Sequence, residues 1–327
     1  MTAAARRTRV VVCGATGFIG RNVTEALARR PDLEVTALGF SRPAYVVPGV
    51  TWRHGDLRDP AAVTSLLQGA DVVIQAAATT SGSKDIVSRP HIHITDNAVM
   101  NSYILRACHD LNIGRFIFFS CSVMYASSQR PQREEDFSPA ADMQPNYFAI
   151  GWTKVYIERM CEFFARAGRT RHTVIRHSNI YGPHDKFDLD RSHVLGATVT
   201  KVMTASDGRI VVWGTGEEAR DFLHVDDLVS FVGKCVDREG AAYALYNCGS
   251  GEAVAIKDLV RRVIAASGRQ IEIEFDRTRP TIPYTLALDC AKAARDLGWR
   301  PTISLDQGLK QTVAWWKANP PATVTRA

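Results

Sequence analysis

Short runs of β-branched and apolar residues alternate along the first half of the chain with longer segments whose apolar positions recur every three or four residues. Residues 10–13, 34–38, 72–75, 116–119 and 173–176 read as strands, with a further strand-like stretch at 50–53. Residues 20–30, 60–67, 97–111 and 152–167 between them read as helices. Strand and helix alternating at this spacing imply right-handed crossovers and a parallel, doubly wound α/β sheet. The second half is more mixed. It predicts helices at 192–206, 225–237, 256–267 and 289–297, and strands at 209–213, 242–247 and 270–275. Residues 319–327 carry two prolines and few anchors, so they are expected to fray.

Composition narrows the class. A chain of 327 residues with 46% hydrophobic and 23% charged residues can bury a large core in ordinary soluble fashion. No stretch approaches the roughly 18–20 apolar residues that a membrane span needs, so no membrane partner is expected. The basic start, residues 1–9, runs into an apolar segment too short for a signal peptide. The seven cysteines are scattered without a CxxC pair, which argues against a disulfide framework or a metal site and fits a reducing cytoplasm. The net charge of +6 is spread along the chain. Without a basic run interleaved with aromatics, nucleic acid is not an expected partner, whereas a few of the cations are available to an anionic diphosphate.

The first strand runs directly into Gly14-Ala15-Thr16-Gly17-Phe18-Ile19-Gly20 and then a helix. Glycines at these positions allow a tight turn and a close backbone approach, so that a pyrophosphate sits on the helix N-terminus. Such a spacing alone is weak evidence. Following an apolar strand inside a βαβ unit, it predicts a dinucleotide site formed by Gly14, Thr16, Gly17, Phe18, Ile19 and Gly20. The second strand ends without the acidic residue that receives the ribose hydroxyls of NAD. It offers Ser41 and Arg42 instead. Arg42 is either a contact for a 2′-phosphate or an ordinary surface arginine, and the first reading favours NADP (NADPH), with NAD less expected. Asp56 and Leu57 stand where an adenine amine would be met, and the small residues Ala76, Ala77 and Ala78 let a cofactor lie close.

Taken with Asn179-Ile180-Tyr181-Gly182-Pro183 and Arg220-Asp221-Phe222-Leu223-His224-Val225-Asp226-Asp227, these motifs resemble the extended short-chain dehydrogenase/reductase family. Within it, residues 179–194 and 210–224 are most similar to the GDP-L-fucose synthase group, and the likeness runs nearly the whole chain to Leu297-Gly298-Trp299 and Ile303-Ser304-Leu305. The resemblance implies a Rossmann domain (residues 1–180 and 218–250), a smaller mixed α/β domain that binds a sugar nucleotide (181–217 and 251–318) and a flexible tail (319–327). It also implies a homodimer joined by a four-helix bundle, to which helices 97–111 and 152–167 contribute. Asn179 and Arg220 would hold the diphosphate of a nucleotide sugar, which suits a fixed guanidinium fork. By the same resemblance Lys201 is a basic position of that site, Trp213 lies beside the base or sugar, and Arg279 is similar to a late phosphate-binding arginine of related epimerases. Asn97, Lys154 and His177 complete the cofactor set.

The catalytic positions depart from the pattern. These enzymes use a tyrosine, a lysine one helical turn later and a neighbouring Ser/Thr. The register that puts Lys154 on the lysine puts Ile150 on the tyrosine, Cys121 on the hydroxyl residue and Val123 on the cysteine used in epimerisation. His193 keeps the other acid/base position. Tyr147 lies seven residues before Lys154, two turns away on nearly the same helix face. It is either a packed aromatic at a helix start or a phenol that enters the site if the helix begins irregularly around Gly151. Other donors open to the reaction are His193, Ser122 and a water held by Lys154. Cys121 is either a small buried filler or a replacement for the hydroxyl. Three readings follow: a 4-ketoreductase of 4-keto-6-deoxy sugar nucleotides, an epimerase that retains its NAD(P), or a cofactor-binding sensor without chemistry.

Overall fold

A computed structural model of the chain describes residues 6–80, 89–189, 192–279 and 281–321. Its central sheet joins β1 (Thr8–Cys13), β2 (Leu33–Gly39), β3 (Val50–His54), β4 (Val72–Gln75), β5 (Arg115–Phe119), β6 (Arg171–His177) and β10 (Tyr243–Cys248). The order is β10-β6-β5-β4-β1-β2-β3, and every neighbouring pair runs parallel. Connections leave β1 toward β2 on one side and β4 lies on the other. The strand order therefore reverses at β1 and opens a crevice at the carboxyl ends of β1 and β4.

Both faces of the sheet are covered, which is why its strands are almost continuously apolar. Val10 and Val12 of β1, with Ile117 and Phe119 of β5, face the core made with α1 (Phe18–Leu27), α6 (Val225–Asp237) and α8 (Ala291–Leu297). Val11 and Cys13, with Phe116 and Phe118, face the opposite core made with α2 (Pro60–Leu67), α3 (Thr95–Asp110) and α4 (Phe148–Ala167). Each such side chain contributes about 1.5–3 kcal/mol by leaving water.

A second core lies between the two-stranded sheet β8 (Arg209–Trp213) and β12 (Glu272–Asp276) and the helices α5 (Val194–Thr204), α7 (Ile256–Ser267) and α9 (Leu305–Ala318). Between the two cores run β7 (Asn179–Tyr181), β9 (Ala219–His224), β11 (Ala253–Ala255) and β13 (Thr285–Leu286), with β9 paired to each of the other three.

The structure adjusts several expected boundaries. The first helix starts at Phe18 rather than 20, because Gly17 is its extended N-cap. The helix expected from 152 starts at Phe148, since Pro145–Tyr147 form a 3-10 turn in which Gln144 Oε1 accepts from the Asn146 amide. The irregularity thus precedes Phe148 and does not fall at Gly151, so Ile150 sits inside the first regular turn. Residues 305–318 form a helix, capped by Ser304 Oγ on the Gln307 amide at 3.3 Å, which the apolar pattern had left unassigned. Of the tail expected to fray, Asn319 is held by its side-chain bond to the Trp315 carbonyl at 3.0 Å, and residues 322–327 lie outside the described residues.

Candidate active site

The glycine-rich turn is shaped by contacts that leave no room for side chains. Gly14 has φ +72°, and a Cβ there would stand 2.5 Å from the Ala77 Cα. A Cβ on Gly20 would stand 2.2 Å from the Gly14 carbonyl oxygen. Ala77 is thereby pressed against the turn, with Ala76 before it and Ala78 exposed after it. The first turn of α1 has no side-chain cap, and beside Thr16, Gly17 and Phe18 opens a cavity of about 360 Å³ that Arg42 also lines. Arg42 is exposed and donates to the Thr16 carbonyl at 3.4 Å. A backbone cradle, an open helix N-terminus and a guanidinium fit the diphosphate-bearing part of a dinucleotide. Ile19 is half-buried behind the turn and Ser41 is exposed next to Arg42. Leu57 is buried, whereas the Asp56 carboxylate is engaged by Arg58 at 2.8 Å, which holds it below the usual carboxylate range. The Asn97 amide bonds Thr79 on both sides at 3.0 Å and the His93 carbonyl at 2.7 Å, so it shapes the loop after β4.

At the ends of β5 and β6 the titratable groups converge. Lys154 Nζ donates to the Phe119 carbonyl at 2.7 Å. Desolvation lowers its pKa against the opposing pull of Cys121 and Glu158. Burial pushes the half-buried Cys121 thiol up, and the nearby Lys154 ammonium pulls it back. His177 faces Ser178 O with Nδ1 at 2.7 Å. Burial, followed by the charges of Lys154 and His193, takes it down to about 4. His193 is the N-cap residue of α5 and is exposed. Desolvation, then Lys186 and His93, lower its pKa.

Tyr147 lies elsewhere. Its ring meets Tyr284 edge-on at 5.7 Å, and it shares a small cavity of about 30 Å³ with Ser122, Val123, Asn179, Arg220 and Tyr284. Burial raises the Tyr147 pKa, and the Arg220 guanidinium beside its hydroxyl opposes that rise. Arg220 donates to the carbonyls of Ile282, at 2.9 Å, and Tyr284. Asn179 Nδ2 donates to the Asp221 carbonyl at 3.0 Å. Cys121 and Tyr147 both pack against the cluster that contains Met124, Val155 and Tyr284.

Trp213, 46% exposed, is flanked by Lys201 at 5.9 Å and Arg279 at 5.6 Å from its ring centre. An exposed ring between two cations is a platform for a flat, electron-rich group. The three positions expected at the substrate therefore cluster with one another.

A model of the NAD dependent epimerase/dehydratase family matches residues 10–249. The chain belongs to that family. Among curated relatives, GDP-L-fucose synthase of Escherichia coli is 25% identical over 95% of this chain and 97% of its own length. A dTDP-4-dehydro-6-deoxy-D-allose reductase of Streptomyces bikiniensis is 27% identical (94% and 96%), and a dTDP-glucose 4,6-dehydratase of Streptomyces antibioticus is 30% identical (95% and 92%). The UDP-glucose 4-epimerase of Thermotoga maritima, solved with UDP-glucose, shares the fold at a TM-score of 0.84 and 23% identity, covering 96% of this chain and 100% of that one. This is an NAD(P)-dependent enzyme of the sugar-nucleotide oxidoreductase and epimerase kind.

Within this epimerase/dehydratase frame, the structure adds residues that the sequence reading passed over. Tyr284 closes the Arg220 side of the cleft, and its place just after the Arg279–Pro283 stretch was the only hint. Arg21, His184, Lys186 and Trp315 line the larger cavity. Arg21 directly follows Gly20, His184 and Lys186 stand one and three residues after the Asn179–Pro183 motif, and Trp315 lies on α9, outside any motif. Among the described residues no helix is long and apolar enough to cross a membrane.

Proposed function

We propose that the protein reduces the 4-keto group of a nucleotide-diphosphate 4-keto-6-deoxy sugar with NADPH, and that Tyr147 gives the proton. The observation that carries this is the state of the cleft tyrosines. Tyr125 donates to Asn247 Oδ1 at 2.8 Å, and Tyr284 donates to the Tyr125 carbonyl at 2.9 Å. Tyr147 instead lies beside Arg220, and a guanidinium only donates. A phenol beside a group that cannot accept keeps its own proton for the cavity that it lines with Asn179 and Ser122. Burial raises its pKa, so it remains a protonated phenol through neutral pH.

A reductase needs an acid at this point. An epimerase with retained cofactor must first take a proton from a sugar hydroxyl, which calls for a phenolate with a lysine beside it. Lys154 is turned to the Phe119 carbonyl and Cys121 instead, which supports the reductive reading. NADPH, when bound, supplies the hydride. Gly14–Gly20 would hold its diphosphate, Arg42 its 2′-phosphate, and Lys154 and His177 the ribose and nicotinamide end, opposite the small residues Ala76–Ala78. Asn179 and Arg220 would hold the sugar-nucleotide diphosphate, and Trp213 with Lys201 and Arg279 the base. His193, exposed to solvent, would return a proton from water.

The test is NADPH consumption by the purified protein with GDP- and dTDP-4-keto-6-deoxyhexoses. We expect turnover with at least one, and Tyr147→Phe to lower kcat by about a hundredfold or more at unchanged cofactor affinity. Cofactor binding without consumption would overturn the reductase in favour of internal epimerisation or a binding-only protein. Full activity of Tyr147→Phe would move the proton to His193.

Two further parts of this reading concern organisation. The division into a cofactor domain (1–180, 218–250) and a substrate domain (181–217, 251–318) is consistent with the two cores. A homodimer through α3 and α4 is supported by Tyr103, Tyr156 and Phe163, exposed by 36%, 46% and 59% on these helices. Sedimentation at micromolar concentration tests the dimer, and a monomer there would remove it.

A further inference from the structure

The larger cavity has a second wall that does not come from the central sheet. After Pro183 the chain turns sharply, with His184 at φ +68°, a left-handed conformation that a histidine adopts only when its surroundings fix it. Those surroundings are visible. The His184 ring meets Trp315 edge-on at 5.0 Å, and Phe187 stacks on the same indole at 5.6 Å and 27°. On the other flank, Asn22 Nδ2 of α1 donates to the Pro183 carbonyl at 3.0 Å. Segment 183–187 is thus clamped between α1 and α9. It carries Lys186, whose Nζ reaches the Thr80 carbonyl at 3.3 Å and hydroxyl at 3.2 Å, across from the turn.

On the first wall stands Arg21. It is oriented by Glu25 at 2.8 Å and lies over the Tyr45 ring at 4.1 Å, while the Tyr45 hydroxyl donates to the Ala15 carbonyl at 3.2 Å. The cavity therefore gathers Arg21, Arg42 and Lys186 beside the amides of the first turn of α1. Glu25 is shared between Arg21 and His184, the latter at 3.8 Å, and the half-buried Asp185 carboxylate accepts from the Lys186 amide at 2.7 Å. Cations gathered from separate elements around a helix N-terminus attract a polyanion.

We propose that Arg21 and Lys186 bind phosphates of the dinucleotide. The last helix is then part of the cofactor site, with Trp315 as the positioning residue for the segment that carries Lys186. This rests on reading the glycine-rich turn as a dinucleotide cradle and adds two contacts and a brace that the turn does not contain. It places a cofactor wall on an element of the second core. The cofactor end of the cleft is therefore secured by α9.

The test is calorimetric titration of the full chain with NADP⁺, ADP and 2′,5′-ADP, together with dTDP and GDP as ligands of the other site. Arg21→Ala and Lys186→Ala should each weaken NADP⁺ about tenfold or more, the size of a lost charge-assisted contact, and leave dTDP or GDP affinity unchanged. The difference between ADP and 2′,5′-ADP reports which phosphate each residue meets. Trp315→Ala should weaken NADP⁺ comparably, and Trp315→Phe, which keeps a stacking ring, should restore it. Thermal melting confirms that each variant is folded. Wild-type affinity in both charge variants would overturn the phosphate contacts, and wild-type affinity in Trp315→Ala would overturn the brace. A wild-type protein that binds no NADP⁺ at all would instead remove the cradle reading, and this inference with it.

Discussion

The glycine-rich turn and the candidate cleft open at the carboxyl ends of one parallel sheet, the turn after β1 and the cleft at β5 and β6, yet they are made of different material. The turn is built from backbone against backbone, with a missing Cβ at Gly14 and another at Gly20. The cleft is built from side chains that arrive from separate elements. Lys154 comes from α4, His177 from β6, Asn179 from β7, Arg220 from β9 and Tyr147 from a 3-10 turn. A backbone site has one solution, so its glycine spacing stays readable. A side-chain site can exchange groups and keep its frame, as we propose for Ile150 and Cys121 at the positions where the resemblance expects a tyrosine and a hydroxyl.

The frame under the cleft is where substitution should cost most. Glu158 and Arg176, 4% and 2% exposed, pair at 2.7 Å. Ser120 Oγ adds a bond to Glu158 at 2.6 Å, and Arg176 reaches the Tyr125 hydroxyl at 2.9 Å and the Glu134 carbonyl at 3.2 Å. Glu158→Gln leaves a buried guanidinium without its counter-charge. Breaking such a pair costs about 3–5 kcal/mol. Urea unfolding should show that loss. A loss below about 1 kcal/mol would mean that the frame is as exchangeable as the side chains it supports.

Gly14→Ala should come next. Its left-handed φ costs about 1–2 kcal/mol for a residue with a Cβ, and the clash with Ala77 is with main chain that cannot rotate away. We expect about 2–4 kcal/mol of destabilisation together with a loss of NADP⁺ binding, read by melting and by calorimetry. If NADP⁺ affinity survived, the turn would not be the cofactor cradle, and the contrast between the two regions would fail.

The same contrast explains what could be read from the sequence. The parallel sheet was legible because strands covered on both faces are apolar throughout. Residues 209–213, 225–237 and 256–267 were found to the residue because their apolar periods run unbroken to a boundary. The short strands at 179–181, 253–255 and 285–286 were not, since two or three residues carry no period and are fixed by pairing with β9. For the candidate site, motif residues were placed near one another, but the direction of Tyr147 was not legible. Counting along a helix put it near the Lys154 face, whereas the 3-10 turn and packing on Tyr284 carry its ring to the cavity that Arg220 lines. Trp315 was out of reach for a similar reason: its role depends on a distant segment bent at His184.

A histidine inside the frame gives a pH test of intermediate size. His172 of β6 is fully buried against Phe116 at 5.4 Å, and neither ring nitrogen has a hydrogen-bond partner among the described residues. Burial, then His109, lowers it from 6.5 to about 4. The fold therefore holds the neutral ring. Its contribution is complete above the unfolded value and is lost as pH falls from about 6.5 toward 4, on the order of 2–3 kcal/mol. His172→Phe should flatten that part of the urea-midpoint curve. An unchanged acid slope would assign the loss to other groups such as His177, which behaves alike but stands in the cleft.

The smallest effect belongs at the rim of the side-chain region. Arg279 is 59% exposed, pairs with Asp276 at 3.3 Å and lies over Trp213. An exposed pair of this kind contributes about 0–1 kcal/mol, and the cation over the ring adds about 0.5–1 kcal/mol once a ligand dries the site. Arg279→Ala should therefore leave stability within about 0.5 kcal/mol and NADP⁺ affinity unchanged. It should weaken the nucleoside diphosphate by about threefold to tenfold, measured by titration with dTDP and GDP. Because Lys201 also lies by the ring, at 5.9 Å from its centre, the loss should stay partial. A complete loss would put Arg279 on the diphosphate itself, beside Arg220, and would make the cleft a two-arginine clamp instead of one arginine with a stacking platform.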